Sequence, residues 1–314
     1  MGGIGIVNNP RAGRNRRRPA MADRLRERLE GDGEVLNAST PEELWAAVSR
    51  FRAAGFDVLG VNGGDGTGHL VLTAFAQAYG DRPLPRLLLL RGGAMNTVAR
   101  GHGISGTADS ILRGVLERRR RGIPLRTVER DLLRVEADDG LPPRYGFIFG
   151  TGAAVAFLDA YYRSRRPSPA SAAWLIARAL GSAVRGGPFA QSLMRREQFG
   201  IETDGQEWPD GSYLAFIAGT TPEIGLGFRA FHRCDEQPGF FHAVGVTAPL
   251  LSLALCLPRL RAGRPWRRRY ALDEVARELV LKGERPRFTL DGDLYQARSQ
   301  VRVSTGPGVE IIVP

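Results

Sequence analysis

Short runs of apolar residues alternate with helical patterns through the first third of the chain: residues 3–7 then 19–29, 34–36 then 41–54, 58–61 then 67–79, and 86–90 followed by a loop and further helix. That rhythm predicts a parallel sheet with helices on both faces, because a strand covered on both sides reads as a continuous apolar run. Thr40, Pro41 and Glu43 make a convincing start for the second helix, with the Thr40 hydroxyl capping a free amide while Glu43 reaches back. From about Thr127 the character changes to β-like runs at 132–136, 145–149, 213–218, 240–246, 277–281 and 287–290, interrupted by helical stretches at 171–185 and 249–260. The expected organisation is α/β plus β: a parallel α/β domain over residues 1–127, then a β-rich, sandwich-like domain over 128–314 whose extreme carboxyl terminus is free to pack back on the first.

The sharpest local feature is Val61-Asn62-Gly63-Gly64-Asp65-Gly66-Thr67, between a predicted strand and a predicted helix. Glycines there allow positive φ and close backbone approach, so successive amides can face a phosphate beside the helix N-terminus. The loop is neither GxGxxG nor a Walker loop, and alone it also reads as a tight turn with Asp65 as turn former. Asn8-Asn9-Pro10-Arg11-Ala12-Gly13 follows the first strand, and Gly92-Gly93-Ala94-Met95-Asn96-Thr97-Val98-Ala99-Arg100 follows the fourth. In a parallel sheet all three loops meet at the carboxyl edge, where ligands bind, and this convergence says more than any loop singly. Much later, Asp291-Gly292-Asp293 stands between two β-like runs, where a hairpin turn is the plain reading.

Asn9-Pro10-Arg11-Ala12-Gly13, Gly63-Gly64-Asp65-Gly66-Thr67, the segment from Gly93 to Arg100 and Asp291-Gly292-Asp293, in that order, resemble the signatures of the diacylglycerol kinase catalytic family. That family includes bacterial lipid kinases, sphingosine kinases and ceramide kinases, and its GGDGT signature is shared more distantly with NAD kinases and phosphofructokinases. The resemblance covers nearly the whole chain. It implies ATP, Mg²⁺ and transfer of the γ-phosphate to a lipid hydroxyl of diacylglycerol or sphingosine type, with the first domain binding nucleotide and the second lipid. The residues implied at the nucleotide are Asn9, Pro10, Arg11, Ala12, Gly13, Gly63, Gly64, Asp65, Gly66, Thr67, Gly93, Ala94 and Asn96, joined by Thr40 if its hydroxyl faces the cleft. As catalytic base the resemblance offers Asp293, from the bacterial enzymes, or Asp65, from the sphingosine kinases. The reading favoured here has Asp293 as base and Asp65 as organiser of Mg²⁺ and substrate.

Three positions depart from the family pattern: Ala94 where threonine is common, Leu70 where glutamate is frequent, and Asp293 where the late motif usually ends in glutamate. Ala94 removes one hydroxyl donor but leaves the backbone amides, Leu70 reads as packing its helix, and Asp293 keeps the carboxylate one methylene shorter. These departures keep a noncatalytic nucleotide- or lipid-binding homologue as one alternative, and the shared GGDG loop keeps a soluble-substrate kinase of the NAD kinase type as another.

A formal net charge of +11 and a pI near 10.6 favour an anionic partner. Nearly all of that charge is arginine, Lys282 being the only lysine. No interleaved aromatic and basic recognition motif accompanies it, so a nucleic-acid partner is not expected. Cys234 and Cys256 lack CxxC spacing and read as buried thiols, supporting neither a disulfide framework nor a zinc cluster. His69 and His102, beside the glycine loops, have no metal-ligand spacing. The start lacks a signal-peptide pattern, Ile6 breaks the myristoylation pattern, and the longest mainly apolar stretch, 243–257, is short and interrupted by Pro249. A cytoplasmic protein is expected, with peripheral contact on the inner face of the membrane. The docking segment expected is 249–270, where Leu250, Leu251, Leu253, Ala254 and Leu257 form an apolar face followed by Arg259, Arg261, Arg264, Arg267, Arg268 and Arg269. The competing reading packs that helix on the second domain and leaves the arginines as a solvated loop. Oligomeric state is not legible.

Overall fold

Strands and helices alternate from the amino terminus in the computed structural model, which describes residues 2–164, 167–196, 199–209 and 213–314, the side chain of Leu250 excepted. The order is β1 (Ile4–Asn8), α1 (Met21–Leu29), β2 (Gly33–Asn37), α2 (Pro41–Ala53), β3 (Val58–Asn62), α3 (Asp65–Tyr79), β4 (Arg86–Leu89), α4 (Thr97–Gly101) and α5 (Ala108–Arg120). The strands form a parallel sheet ordered β2-β1-β3-β4. Every residue of β1 and β3 is buried, as their continuous apolar sequences require. Helices pack in pairs, α1 with α5 and α2 with α3. The start of α2 is a capping box: the Glu43 amide donates to Thr40 Oγ1 at 3.3 Å, and the Thr40 amide donates to the Glu43 carboxylate at 3.2 Å.

The chain continues through β5 (Thr127–Ala137), β6 (Arg144–Gly146), β7 (Ile148–Gly152), α6 (Ala153–Tyr162), α7 (Pro169–Val184), α8 (Pro188–Leu193), β8 (Gly200–Thr203), β9 (Gln206–Glu207), β10 (Ala215–Gly219), β11 (Phe241–Val246), α9 (Leu250–Arg261), β12 (Ala271–Ala276), β13 (Glu278–Lys282), β14 (Arg287–Leu290), β15 (Asp293–Gln296) and β16 (Gln300–Ile312). Residues up to Arg130 together with Pro307–Pro314 make one unit, and Asp131–Gly306 the other. In the first unit, Ile311 of the closing strand runs parallel beside Leu87 of β4.

In the second unit, one sheet has the order β12-β11-β10-β7-β14-β15 and is antiparallel throughout. Opposite it, β13 pairs with residues 300–304 of β16 and with β8, while β5 pairs with β16 and β6. Both sheets send residues into one core, including Phe149, Phe216 and Phe288 from the first and Val135, Leu279 and Val303 from the second. The sandwich-like fold expected from the second half of the sequence is therefore present. Two helices were not anticipated, α6 and α8. In α6, Ala-Ala-Val-Ala-Phe-Leu-Asp-Ala-Tyr-Tyr is apolar nearly all round, so it lacks the one-sided period by which a surface helix is recognised. Among the described residues, no helix is long and apolar enough to cross a membrane.

Candidate functional site

The sheet register of the first unit sets Asn37, Asn8 and Asn62 abreast at the carboxyl ends of β2, β1 and β3. Their side chains form a ladder: Asn8 Nδ2 donates to Asn37 Oδ1 and Asn62 Nδ2 to Asn8 Oδ1, both at 2.7 Å. Asn15 Nδ2, in the loop after β1, donates to the carbonyls of Asn9 at 2.9 Å and Asn62 at 2.8 Å, fixing that loop to β3. Asn9 then reaches α3, donating from Nδ2 to Thr67 Oγ1 at 2.9 Å, while its Oδ1 accepts the Arg11 amide at 2.9 Å. The third loop joins them through Gly93, whose amide donates to the Gly63 carbonyl at 2.8 Å and to Asn96 Oδ1 at 3.0 Å. The three loops expected at one sheet edge are thus held together by hydrogen bonds. Asn15, Asn37 and Asn62 were not among the residues proposed from sequence; the signal available was an asparagine ending each of three neighbouring strands.

Of the two properties expected of these glycines, positive φ and close backbone approach, the structure shows the second. Gly63, Gly64, Gly66 and Gly93 all lack positive φ, and the left-handed residues of these loops are Arg91 at 59° and Asn96 at 51°. What excludes a side chain is packing, within the loop at Gly63 and between loops at Gly64 and Gly93. A Cβ on Gly93 would stand 2.2 Å from Gly64 Cα, one on Gly64 would stand 3.2 Å from Gly93 Cα, and one on Gly63 would meet Thr67 at 2.3 Å. Gly13 approaches Ala94 likewise, its added Cβ falling 3.3 Å from the Ala94 Cβ. Pro10 and Ala12 lie in the turn that delivers Gly13, with the Ala12 amide donating to the Asn9 carbonyl at 3.1 Å.

Asp65, read from sequence as an organiser of Mg²⁺, has a structural occupation. Its Oδ2 accepts the Thr97 amide at 3.0 Å and its Oδ1 the Val98 amide at 3.2 Å, so the carboxylate caps α4 and braces the Gly93 loop against α3. Burial pushes this carboxyl above its ordinary pKa, opposed by those two amides. Because Asp65 turns to α4 and Gly64 has no side chain, the N-terminus of α3 carries no side-chain cap, leaving first-turn amides to meet an anion. Burial first, then the charges of Arg14 and Arg100, lower the Arg91 guanidinium from its usual value, which places three cations beside Gly92 and Gly93. Among the described residues none of the three is ion-paired with a carboxylate. Arg14 and Arg91 were also missed from sequence, where they were submerged in the general abundance of arginine. Arg11 is exposed in the same loop as Arg14.

A small cleft of about 160 Å³ opens beside Asn9 and Thr67, walled by Thr40, Pro41, Leu44, Trp45, Leu70 and Ala74. Leu70 does not pack its helix as expected; 46% exposed, it forms part of the cleft wall. Thr40 caps α2 and lines the cleft at once. His69 is buried inside α3.

In the second unit, Asp291 and Gly292 are the two central residues of the β14–β15 turn, with φ of 48° and 95°. Positive φ at both positions is the type I′ pattern that matches strand twist. The two carboxylates of the motif differ sharply. Asp291 is buried and accepts the Phe147 amide at 3.0 Å and the Ile148 amide at 2.9 Å, pinning the turn to the start of β7. Asp293 is only half-buried, and its charge, after burial, helps to hold the Tyr295 phenol above its ordinary pKa. Tyr162 closes the turn from outside, donating its hydroxyl to the Gly292 carbonyl at 2.9 Å.

Residues 4–128 match the family model of the diacylglycerol kinase catalytic domain, bearing out the resemblance read from the loops. In fold, the chain is similar over its full length to a diacylglycerol kinase from Bacillus anthracis str. Sterne, at 14% identity and a TM-score of 0.64, covering 97% of that chain. It is also similar to yeast NADH kinase complexed with NADH, at 11% identity and a TM-score of 0.52, covering 84% of that chain. At such identities the likeness is one of fold. No curated protein matches the sequence.

Proposed function

We propose that this chain, whose residues 4–128 carry a diacylglycerol kinase catalytic domain, is an ATP-dependent lipid kinase that phosphorylates a lipid hydroxyl of diacylglycerol or sphingosine type. The observation that carries the reading is the edge of the first sheet, where an uncapped helix N-terminus, three arginines without carboxylate partners among the described residues and an apolar cleft lie together. A nucleoside triphosphate fits that combination. Its phosphates suit the α3 amides and the guanidinium groups, and its base suits the wall of Leu44, Trp45 and Leu70.

Bound ATP with Mg²⁺ would supply the transferable phosphoryl group. Asp65 contributes by holding the Gly93 loop; with both oxygens already accepting amides, it is poorly disposed as a direct ligand, and Mg²⁺ is better provided for by the phosphates themselves. Asp293 is assigned as base: the lipid hydroxyl oxygen forms the new bond to phosphorus, the bond to the ADP oxygen breaks, and Asp293 takes the hydroxyl proton. Asp291 cannot share this role while it holds two backbone amides. The lipid is reached at an anionic membrane surface, for which the second unit offers exposed apolar and basic side chains on α9 and the segment that follows it.

Incubation with labelled ATP, Mg²⁺ and a panel of diacylglycerol, sphingosine, ceramide and phosphatidylglycerol, followed by lipid separation, tests the assignment. Label in one lipid is the expected result. An NAD⁺ arm addresses the second reading, favoured by the fold likeness to yeast NADH kinase; label found only there would replace the lipid acceptor with a soluble one. ATP bound without transfer to any acceptor would instead support the noncatalytic reading that Ala94, Leu70 and Asp293 keep open.

A further inference from the structure

The geometry points to a metal site in the second unit, formed by His232, His242 and Asp273 and suited to zinc. His242 lies on β11 and Asp273 on the neighbouring β12, where His242 stands opposite Val275 and Asp273 opposite Val244; the two are diagonal neighbours on one face of the sheet. His232 comes from the connection between β10 and β11, residues 220–240, which has no helix or strand beyond an isolated bridge. Hydrogen bonds hold the middle of this long connection, Trp266 Nε1 donating to the Ala230 carbonyl and the Arg229 amide to the Leu260 carbonyl, both at 2.9 Å. Phe231 packs edge-on against His242 with ring centroids 6.1 Å apart.

One oxygen organises the group. Asp273 Oδ2 lies 3.0 Å from His242 Nε2 and 3.6 Å from His232 Nε2, and the three residues can present ligand atoms all within 4.8 Å of one another. Ligands about 2.0–2.1 Å from a tetrahedral zinc are about 3.3 Å from each other, so both measured edges bracket the required spacing. Two imidazoles and one carboxylate are the donors zinc accepts, and hard cations such as Mg²⁺ would favour an oxygen-richer set. Neither ring has a hydrogen-bond partner at Nδ1, and His242 is fully buried with that nitrogen unsatisfied while its Nε2 faces the Asp273 carboxylate. The side chains of His232 and Asp273 keep 15% and 23% of their exposure, so an ion can enter and a water can complete its coordination. Arg233, the nearby cation, is engaged with Glu236 at 3.0 Å. Bound zinc would staple the 220–240 connection to the sheet.

The site stands apart from the kinase reading, and its test uses direct binding. Tag-free protein stripped with a chelator, then freed of it, is titrated with Zn²⁺ against a chromophoric competitor. One equivalent bound per chain is expected, with a rise in melting temperature. Asp273→Asn and His232→Ala should each weaken binding by about tenfold or more. Far-UV circular dichroism of the stripped variants establishes that they fold. As a measurement free of any variant, Co²⁺ bound to the parent should show the visible bands of a low-coordinate nitrogen and oxygen site. Absence of stoichiometric Zn²⁺ binding by the parent, or folded His232→Ala binding as tightly as the parent, overturns the proposal and leaves the three residues as a hydrogen-bonded cluster.

Discussion

A glycine's identity is visible in a sequence, but the reason for it is not, and Gly64 and Gly93 show the difference. Local pattern suggested positive φ and close backbone approach; the first is absent, and the second is contact between loops that meet only in the folded sheet. Gly93→Ala should therefore destabilise the protein by about 1–3 kcal/mol, since its Cβ meets backbone at 2.2 Å, and should weaken nucleotide binding in parallel. Gly68, one turn into α3, is the control: an added Cβ there meets nothing within 4 Å, so Gly68→Ala should stabilise by roughly 0.5–1 kcal/mol. Urea unfolding of both variants, with titration of an ATP analogue, checks the contrast; parental behaviour of Gly93→Ala would refute the packing account. Asp65→Asn carries a second expectation. The amide side chain can accept only one of the Thr97 and Val98 donors and turns its own donor towards the other, so stability should fall by about 1–3 kcal/mol alongside any loss of turnover. A variant with parental unfolding and lost turnover would return Asp65 to a purely chemical role.

Elements were legible where a period or a cap announced them. Buried strands β1 and β3 followed from unbroken apolar runs, and α2 from Thr40, Pro41 and Glu43. Helix α6 escaped because an apolar helix without a polar face resembles any other buried run. The turn at Asp291 and Gly292 was readable as a hairpin, yet nothing local told the two aspartates apart, because the amides that occupy Asp291 come from β7 and its preceding residue, far away in sequence. This division of labour is testable. Asp291→Ala leaves the Phe147 and Ile148 amides buried without an acceptor, at a cost of about 1–3 kcal/mol each, and should lower the urea midpoint strongly. Asp293→Asn should leave unfolding and nucleotide affinity near parental while reducing turnover on the order of a hundredfold. Asp293→Glu, which restores the side chain usual in the family, should retain activity. Normal turnover in Asp293→Asn would remove the base assignment without disturbing the account of the turn.

At the scale of the whole molecule, the open matter is what the second unit presents to a lipid surface. Helix α9 buries Cys256 and Leu260 and packs with α7, so the reading that it belongs to the domain holds for one face. Its other face is exposed: Leu251 at 47% and Leu255 at 64%, one turn apart, with Trp174 on α7 at 59%. The sequence had drawn that face through Leu250, Leu251, Leu253, Ala254 and Leu257; of these Leu251 is exposed, Leu253, Ala254 and Leu257 are half-buried, and Leu250 has its side chain outside the described residues. The difference at Leu255 has a plain cause: seven apolar residues in the eight from 250 to 257 leave the orientation of a helix undetermined until its neighbours are known. Arg264, Arg267, Arg268 and Arg269 beyond α9 are exposed, whereas Arg259 and Arg261 donate to the carbonyls of Pro265 and Leu226. Apolar side chains followed by cations suit an anionic bilayer, the leucines entering the headgroup boundary and the guanidinium groups meeting phosphate. Sedimentation with liposomes should show binding that rises with anionic lipid and falls with salt. Replacing Arg267, Arg268 and Arg269 by Gln should remove much of the salt-sensitive part, each charge contributing about 1 kcal/mol near the surface. Leu251→Ser with Leu255→Ser should instead weaken binding at every salt concentration. If the triple arginine variant binds anionic liposomes as the parent does, and the double leucine variant does too, this face is not the docking surface and the lipid enters by another route.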